Sequence, residues 1–121
     1  MKKKIIVTGG CGYIGSHTVI EVLEHNFEVL ILDDLSNATQ KTLERIKKIT
    51  GIRPQFINVD LKDASKTNTI FSNHKDAKAV IHFAAHKAVG ESVIKPLKYY
   101  KNNLYSLLNT LNAQIENGIQ N

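Results

Sequence analysis

The sequence predicts an α/β fold: one parallel sheet with helices on both of its faces. Three observations carry this. Four apolar strand candidates alternate with four helix candidates along the 121 residues. A glycine-rich turn, Thr8 to His17, links the buried run Ile5-Ile6-Val7 to a helical pattern. An acidic residue, Asp33, ends the second apolar run, Val29 to Leu32, 18 residues beyond Gly15.

Taken in order, the first strand is Lys4–Thr8, and a helix follows from about Gly12 to His25. Val19, Val22 and Leu23 lie on one face of that helix with Gly15. Asn26 breaks it, and Phe27–Asp33 is the second strand, closing on the polar loop Asp34-Leu35-Ser36-Asn37. The second helix carries Leu43, Ile46 and Ile49 on one stripe and stops at Gly51, with Pro54 beyond. The third strand, Gln55–Val59, closes on Asp60-Leu61. Asp63 is the expected N-cap of a helix through Ala64, Thr67, Ile70 and Phe71. The fourth strand, Ala77–Phe83, leads into a small-residue loop from Ala84 to Ile94. The last helix has Pro96 in its first turn and runs to about Glu116, where Gly118 ends it. Its apolar stripe is Leu97, Tyr100, Leu104, Leu107, Leu108, Leu111 and Ile115.

The glycines fit two spacings, Gly10-x-Gly12-x-x-Gly15 and Gly9-x-x-Gly12-x-x-Gly15. A turn without Cβ atoms, opening into a helix N-terminus with unpaired N–H groups, suits a dinucleotide pyrophosphate. Gly12 is expected to admit the phosphates, and Gly15 to let the helix pack close to the strand. No Lys-Ser or Lys-Thr follows the last glycine, which excludes a Walker-type loop. Asp33 stands at the distance where such a turn has its ribose-binding carboxylate. A carboxylate there accepts from the ribose hydroxyls and repels a 2′-phosphate, so it favours NAD over NADP. Right-handed crossovers then give a Rossmann-type sheet of order 3-2-1-4, with the cofactor across the carboxyl ends of the strands. At those ends Asp60 can accept from an adenine amine with Leu61 against the ring. Phe83-Ala84-Ala85 passes the nicotinamide side, and Lys87 is placed to reach a phosphate.

The formal charge of +5 comes from lysines spread over the whole chain. No basic helix with interleaved aromatics accompanies them, which argues against nucleic acid. No apolar run reaches the roughly 20 residues of a bilayer span, and the N-terminus is too briefly apolar for a secretory signal. The single cysteine, Cys11, allows no internal disulfide, consistent with a reducing cytoplasm. It reads either as a reactive thiol or as a small residue tolerated in the turn. No metal-ligand spacing is seen.

Thr8-Gly9-x-x-Gly12-x-x-Gly15 resembles the cofactor turn of the extended short-chain dehydrogenase/reductases. Within them, Gly12 to Thr18 and Asp33-x-Leu35-Ser36-Asn37 are similar to the UDP-glucose 4-epimerase family. The most specific match is His82-Phe83-Ala84-Ala85-x-Lys87-Ala88-Val89-Gly90-Glu91-Ser92, continuing through Lys95-Pro96-Leu97-x-Tyr99-Tyr100-x-Asn102-Asn103. Sugar-nucleotide dehydratases and uronate epimerases differ there. The resemblance implies an isomerase of galactose metabolism that interconverts UDP-glucose and UDP-galactose. Its bound NAD takes hydride from C4 of the sugar and returns it to the other face of a 4-keto intermediate. Carried over residue by residue, the implied NAD contacts are Gly9, Gly12, Tyr13, Ile14 and Gly15, the loop Asp33, Asp34, Leu35, Ser36, Asn37 and Ala38, then Asp60 and Leu61, and finally Phe83, Ala84, Ala85, His86, Lys87 and Asn102. Cys11, Asp34 and His86 depart from the family's usual alanine, asparagine and leucine.

The resemblance also implies a catalytic serine or threonine and a Tyr-x-x-x-Lys pair. Four residues after Tyr13, Tyr99, Tyr100 and Tyr105 stand His17, Asn103, Leu104 and Asn109, so the pair is not in this sequence. No catalytic residue is assigned. The expectation is one domain, residues 1–121, forming the amino-terminal NAD-binding portion, with the UDP-sugar region outside it. In the resembling family the last helix meets its symmetry mate, so a homodimer or other self-association is expected. Two other readings stay open: a non-catalytic dinucleotide-binding module, and an epimerase of UDP-N-acetylhexosamines or another nucleotide sugar.

Overall fold

The computed structural model describes residues 2–36, 38–84 and 93–121. Among them the elements are β1 (Lys4–Thr8), α1 (Tyr13–Glu24), β2 (Glu28–Asp33), α2 (Lys41–Thr50), β3 (Gln55–Asn58), α3 (Ala64–Asn73), β4 (Ala79–His82) and α4 (Pro96–Asn117). The four strands form one parallel sheet in the order β3-β2-β1-β4, as the sequence predicts.

Alternation along the central strands sends side chains to opposite faces. Ile5, Val7, Val29 and Ile31 share a core with Val19 and Leu23 of α1 and Leu43 and Ile46 of α2. Ile6, Leu30 and Leu32 pack on the other face with Val59, Leu61, Phe71 of α3 and Ala113 of α4. Both faces of β1 and β2 are therefore covered, which explains why those strands read as unbroken apolar runs. The ends of the helices follow local chemistry. Asp63 caps α3 by accepting from the Lys66 N–H at 3.0 Å. Gly51 and Gly118 close α2 and α4 in the left-handed region, at φ 78° and 72°.

One expectation about a helix face fails. Ile49 continues the stripe of α2 in sequence, yet it stands exposed while Leu43 and Ile46 are sealed. In α4 the leucine stripe is the outward one: Leu97, Tyr100, Leu104, Leu107, Leu108, Leu111 and Ile115 are all exposed. The buried side is Tyr99, Asn102, Ser106, Thr110 and Ala113, which lies on α3. Small and polar side chains make up this side, and two polar groups of the helix find partners. Asn117 donates to Asn68 Oδ1 at 3.0 Å, and the Thr110 hydroxyl donates to its own helix at Ser106 O.

The outer edge of β4 is partly covered. After α4 the chain returns to the sheet with Ile119 buried in the second core. The Asn121 carbonyl accepts from the Val80 N–H at 2.8 Å, and the Asn121 side chain donates to Lys78 O. This places Asn121 beside β4 on the side away from β1.

Candidate dinucleotide site

The site begins where β1 and β4 diverge, at the reversal of strand order. Thr8 is fully buried at the end of β1 and ties the two strands together. Its hydroxyl lies 3.1 Å from the Phe83 N–H, 3.3 Å from the Ala84 N–H and 2.7 Å from His82 Nδ1. The sequence motif includes Thr8 but gives no hint of this role.

The turn itself is closed against side chains. Gly9, at φ 69°, would put a Cβ 2.7 Å from the Phe83 carbonyl carbon, and its N–H donates to Leu32 O at 2.7 Å. A Cβ on Gly10 would meet the Ile31 side chain at 2.8 Å. A Cβ on Gly15 would overlap the Gly9 carbonyl oxygen. Gly15 thus packs α1 onto the turn itself and not onto the strand. Gly12 is the N-cap of α1, in extended conformation, and a Cβ there comes no closer than 3.4 Å to anything but its chain neighbours. This is a cradle whose backbone would lie open to a phosphate at a helix N-terminus.

Asp33 holds the turn from the β2 side. Its Oδ2 accepts from the buried Cys11 N–H at 3.0 Å, and its Oδ1 accepts from the Leu35 N–H at 2.8 Å. Leu35 has φ 63°, a left-handed conformation that a leucine adopts only when held there. Asp34 repeats the pattern on the exposed side, accepting from the Ser36 N–H at 3.0 Å. Cys11 is buried beside Asp33, and burial first and the Asp33 charge second push its thiol up to about 12. It stays a neutral thiol at physiological pH, which decides against a reactive nucleophile.

Seven of the residues picked from the sequence meet in one small cleft, about 40 Å³ in volume: Asp33, Asp34, Ser36, Asp60, Leu61, Ala84 and Asn102. Leu32, Val59 and Ser106 complete its walls. Asp60 is held at the rim, with Oδ1 accepting from the Lys62 N–H at 2.9 Å and Oδ2 3.8 Å from Lys62 Nζ. From α4, Asn109 donates to the Leu61 carbonyl at 2.8 Å and so fixes the far end of the cleft. Ser106 and Asn109 escape a sequence reading because they lie on the polar side of a helix whose leucines draw attention.

Tyr13 and Ala38 are placed elsewhere, in a second groove between α1 and α2 with Cys11, Gly12, His17, Thr42 and Arg45. The Tyr13 ring is 83% exposed and sits edge-on to His17. Ile14 is exposed beside it at the start of α1. Phe83 is partly buried against the first core. Asn37, Ala85, His86 and Lys87 lie outside the described residues. No described helix is long and apolar enough to cross a membrane.

Residues 6–121 match the model of the family described as GDP-mannose 4,6 dehydratase. A UDP-glucose 4-epimerase of Bacillus subtilis is 52% identical over 100 residues, covering 83% of this chain but 29% of that protein. Among solved structures, a UDP-glucose 4-epimerase from Stenotrophomonas maltophila with bound NAD and formylated UDP-arabinopyranose superposes with a TM-score of 0.92 at 39% identity. That match covers 98% of this chain and 35% of the other. The UDP-Glc/GlcNAc 4-epimerase of Campylobacter jejuni superposes at 0.89 with 35% identity, over 97% of this chain and 35% of that one. The chain thus spans about a third of the length of these relatives.

Proposed function

We infer that this chain, which belongs to the GDP-mannose 4,6 dehydratase family and stands beside the UDP-glucose 4-epimerases within it, is the amino-terminal NAD-binding portion of an epimerase that interconverts UDP-glucose and UDP-galactose. The observation that carries the reading is the cleft. Asp33, Asp34 and Asp60 line it as acceptors, Leu61 supplies an apolar wall, and Asp33 ties it to a turn that excludes Cβ atoms at Gly9, Gly10 and Gly15. That set fits an adenosine diphosphate half: hydroxyls toward Asp33, an exocyclic amine toward Asp60, the ring on Leu61 and the pyrophosphate on the start of α1.

The chain's own contribution is to bind and orient. Asp33 is pre-set by two backbone donors, so its remaining lone pairs face the ribose position without rearrangement. Asp33 and Asp34 together disfavour a 2′-phosphate. Thr8 fixes the backbone of Phe83 and Ala84, which pass beneath the nicotinamide end. NAD, when bound, supplies the acceptor and later the donor of the sugar's C4 hydride. The residues that would activate the C4 hydroxyl are not among those of this chain, so the chain alone is expected to be inactive; the proposed role is in galactose metabolism in the cytoplasm.

Isothermal titration with NAD and with NADP tests the binding half: NAD binds more tightly, and equal or reversed affinities overturn the assignment. A coupled assay with UDP-galactose tests the other half, with no turnover expected from the chain alone. A second substrate reading, UDP-N-acetylhexosamines, is favoured by the likeness to the UDP-Glc/GlcNAc 4-epimerase of Campylobacter jejuni. A non-catalytic NAD-binding module shares the same cleft; in-frame sequence encoding Tyr-x-x-x-Lys beyond Asn121 would exclude it.

A further inference from the structure

We propose that Ser106 is a specificity-determining residue of the cleft, the hydroxyl that donates to a ring nitrogen of the bound base; this rests on the reading of the cleft as an adenine-dinucleotide site. Ser106 is 3% exposed, sits in the middle of α4 and lines the cleft with Asn102 one turn earlier. Helical hydroxyls in this chain commonly turn back on their own helix, as Thr67, Thr69 and Thr110 do. The Ser106 hydroxyl does not, and it makes no hydrogen bond among the described residues. Since no unpartnered side-chain oxygen of the described residues is sealed from solvent, this one keeps an opening, and the cleft is the space that Ser106 lines.

Its place along the cleft follows from α4. Asn109, three residues on, is bonded to the Leu61 carbonyl. Positions three apart share a helix face, so Ser106 stands at the Asp60–Leu61 end and not at the Asp33 end. That end offers an apolar wall from Leu32, Val59 and Leu61, an acceptor at Asp60 and a donor at Ser106. A flat heterocycle with an amine next to an unprotonated ring nitrogen satisfies both. Adenine has that edge; hypoxanthine, with an oxo group and a protonated ring nitrogen, reverses it at both positions.

Ligand-observed NMR on the whole chain with AMP, IMP and ribose 5-phosphate tests this. Ser106→Ala should weaken AMP about three- to tenfold, the loss of one neutral hydrogen bond. It should narrow the preference for AMP over IMP and leave ribose 5-phosphate unchanged. Ser106→Cys, close in volume and a weak donor, should show the same split, so the proposal stays testable if the alanine variant fails to fold. Unchanged AMP affinity, or an equal loss for AMP and ribose 5-phosphate, overturns it, the latter revealing only a disturbed helix. A wild-type chain that binds neither AMP nor NAD overturns the reading of the cleft itself, which titration of the unaltered chain detects separately.

Discussion

Asp33 and Cys11 are joined across the sheet: the carboxylate at the end of β2 accepts the buried N–H in the middle of the glycine turn at 3.0 Å. One residue therefore shapes the turn and, in the proposed reading, also receives the ribose. Asp33→Ala should lower NAD affinity by about 1.5–3 kcal/mol, the loss of a charged hydrogen bond. It should also destabilise the ligand-free chain by about 1–3 kcal/mol, because the Cys11 N–H is left buried and unpaired. Denaturant titration without ligand, beside calorimetry with NAD, separates the two losses. A stable apo variant would mean that the Cys11 contact is dispensable.

Gly15 offers a sharper backbone test. Alanine is the better helix former, by about 1 kcal/mol, and α1 would gain that much from Gly15→Ala. Its Cβ, however, would overlap the Gly9 carbonyl oxygen, which is backbone and cannot rotate aside. The overpacking costs typically about 1–3 kcal/mol and should win. The variant is expected to melt earlier in urea and to bind NAD less tightly; a stabilised variant would show that the turn yields.

Cys11 should be chemically quiet. Its buried thiol, pushed up to about 12, exposes almost no thiolate at neutral pH. Ellman's reagent should label the folded chain far more slowly than the urea-unfolded chain. Equal rates would place the thiol at the surface.

Local chemistry made much of this fold readable. The cap at Asp63, the stops at Gly51 and Gly118, and the apolar runs of β1 and β2 each depend on near neighbours in sequence. The place of Asp33 at the end of β2, against the glycine turn, is readable because its spacing from Gly15 follows from one crossover. What stayed hidden depends on partners distant in sequence. Periodicity finds the leucine stripe of α4 but not which stripe this chain covers, and the opposite side, with Asn102, Ser106 and Thr110, is the buried one because it faces the rest of the fold. The Thr8–His82 contact likewise exists only once β1 and β4 are side by side.

Acid should weaken the fold at its other end through His74. Burial, and then the Lys4 ammonium, hold this imidazole below its ordinary value of 6.5, with Asp76 pulling the other way. Lys4 Nζ lies 3.1 Å from His74 Nδ1, a contact that a neutral imidazole accepts and a protonated one cannot. The unfolded chain therefore binds the proton more readily. The contribution to stability is complete above pH 6.5 and falls as pH drops from there toward the depressed folded value. Urea midpoints from pH 8 to pH 5 should fall more steeply for the wild type than for His74→Gln. Parallel curves would remove His74 as the cause.

Self-association should run through α4. Tyr100, Leu104, Leu108, Leu111 and Ile115 recur every three or four residues and form one exposed apolar stripe. Burying a leucine contributes on the order of 1.5–3 kcal/mol, so several together can outweigh the entropy of pairing two chains. The edge of β4 competes poorly as an association surface, since Asn121 already takes the Val80 N–H and adds a second bond at Lys78. The wild type should therefore sediment as a concentration-dependent associating species. Leu108→Lys should shift it toward monomer and make its melting temperature independent of concentration, because only the native state associates. A compact wild-type monomer at high concentration would show that the stripe alone does not drive pairing. A Leu108→Lys variant that still associates would move the contact to another surface, the β4 edge first among them.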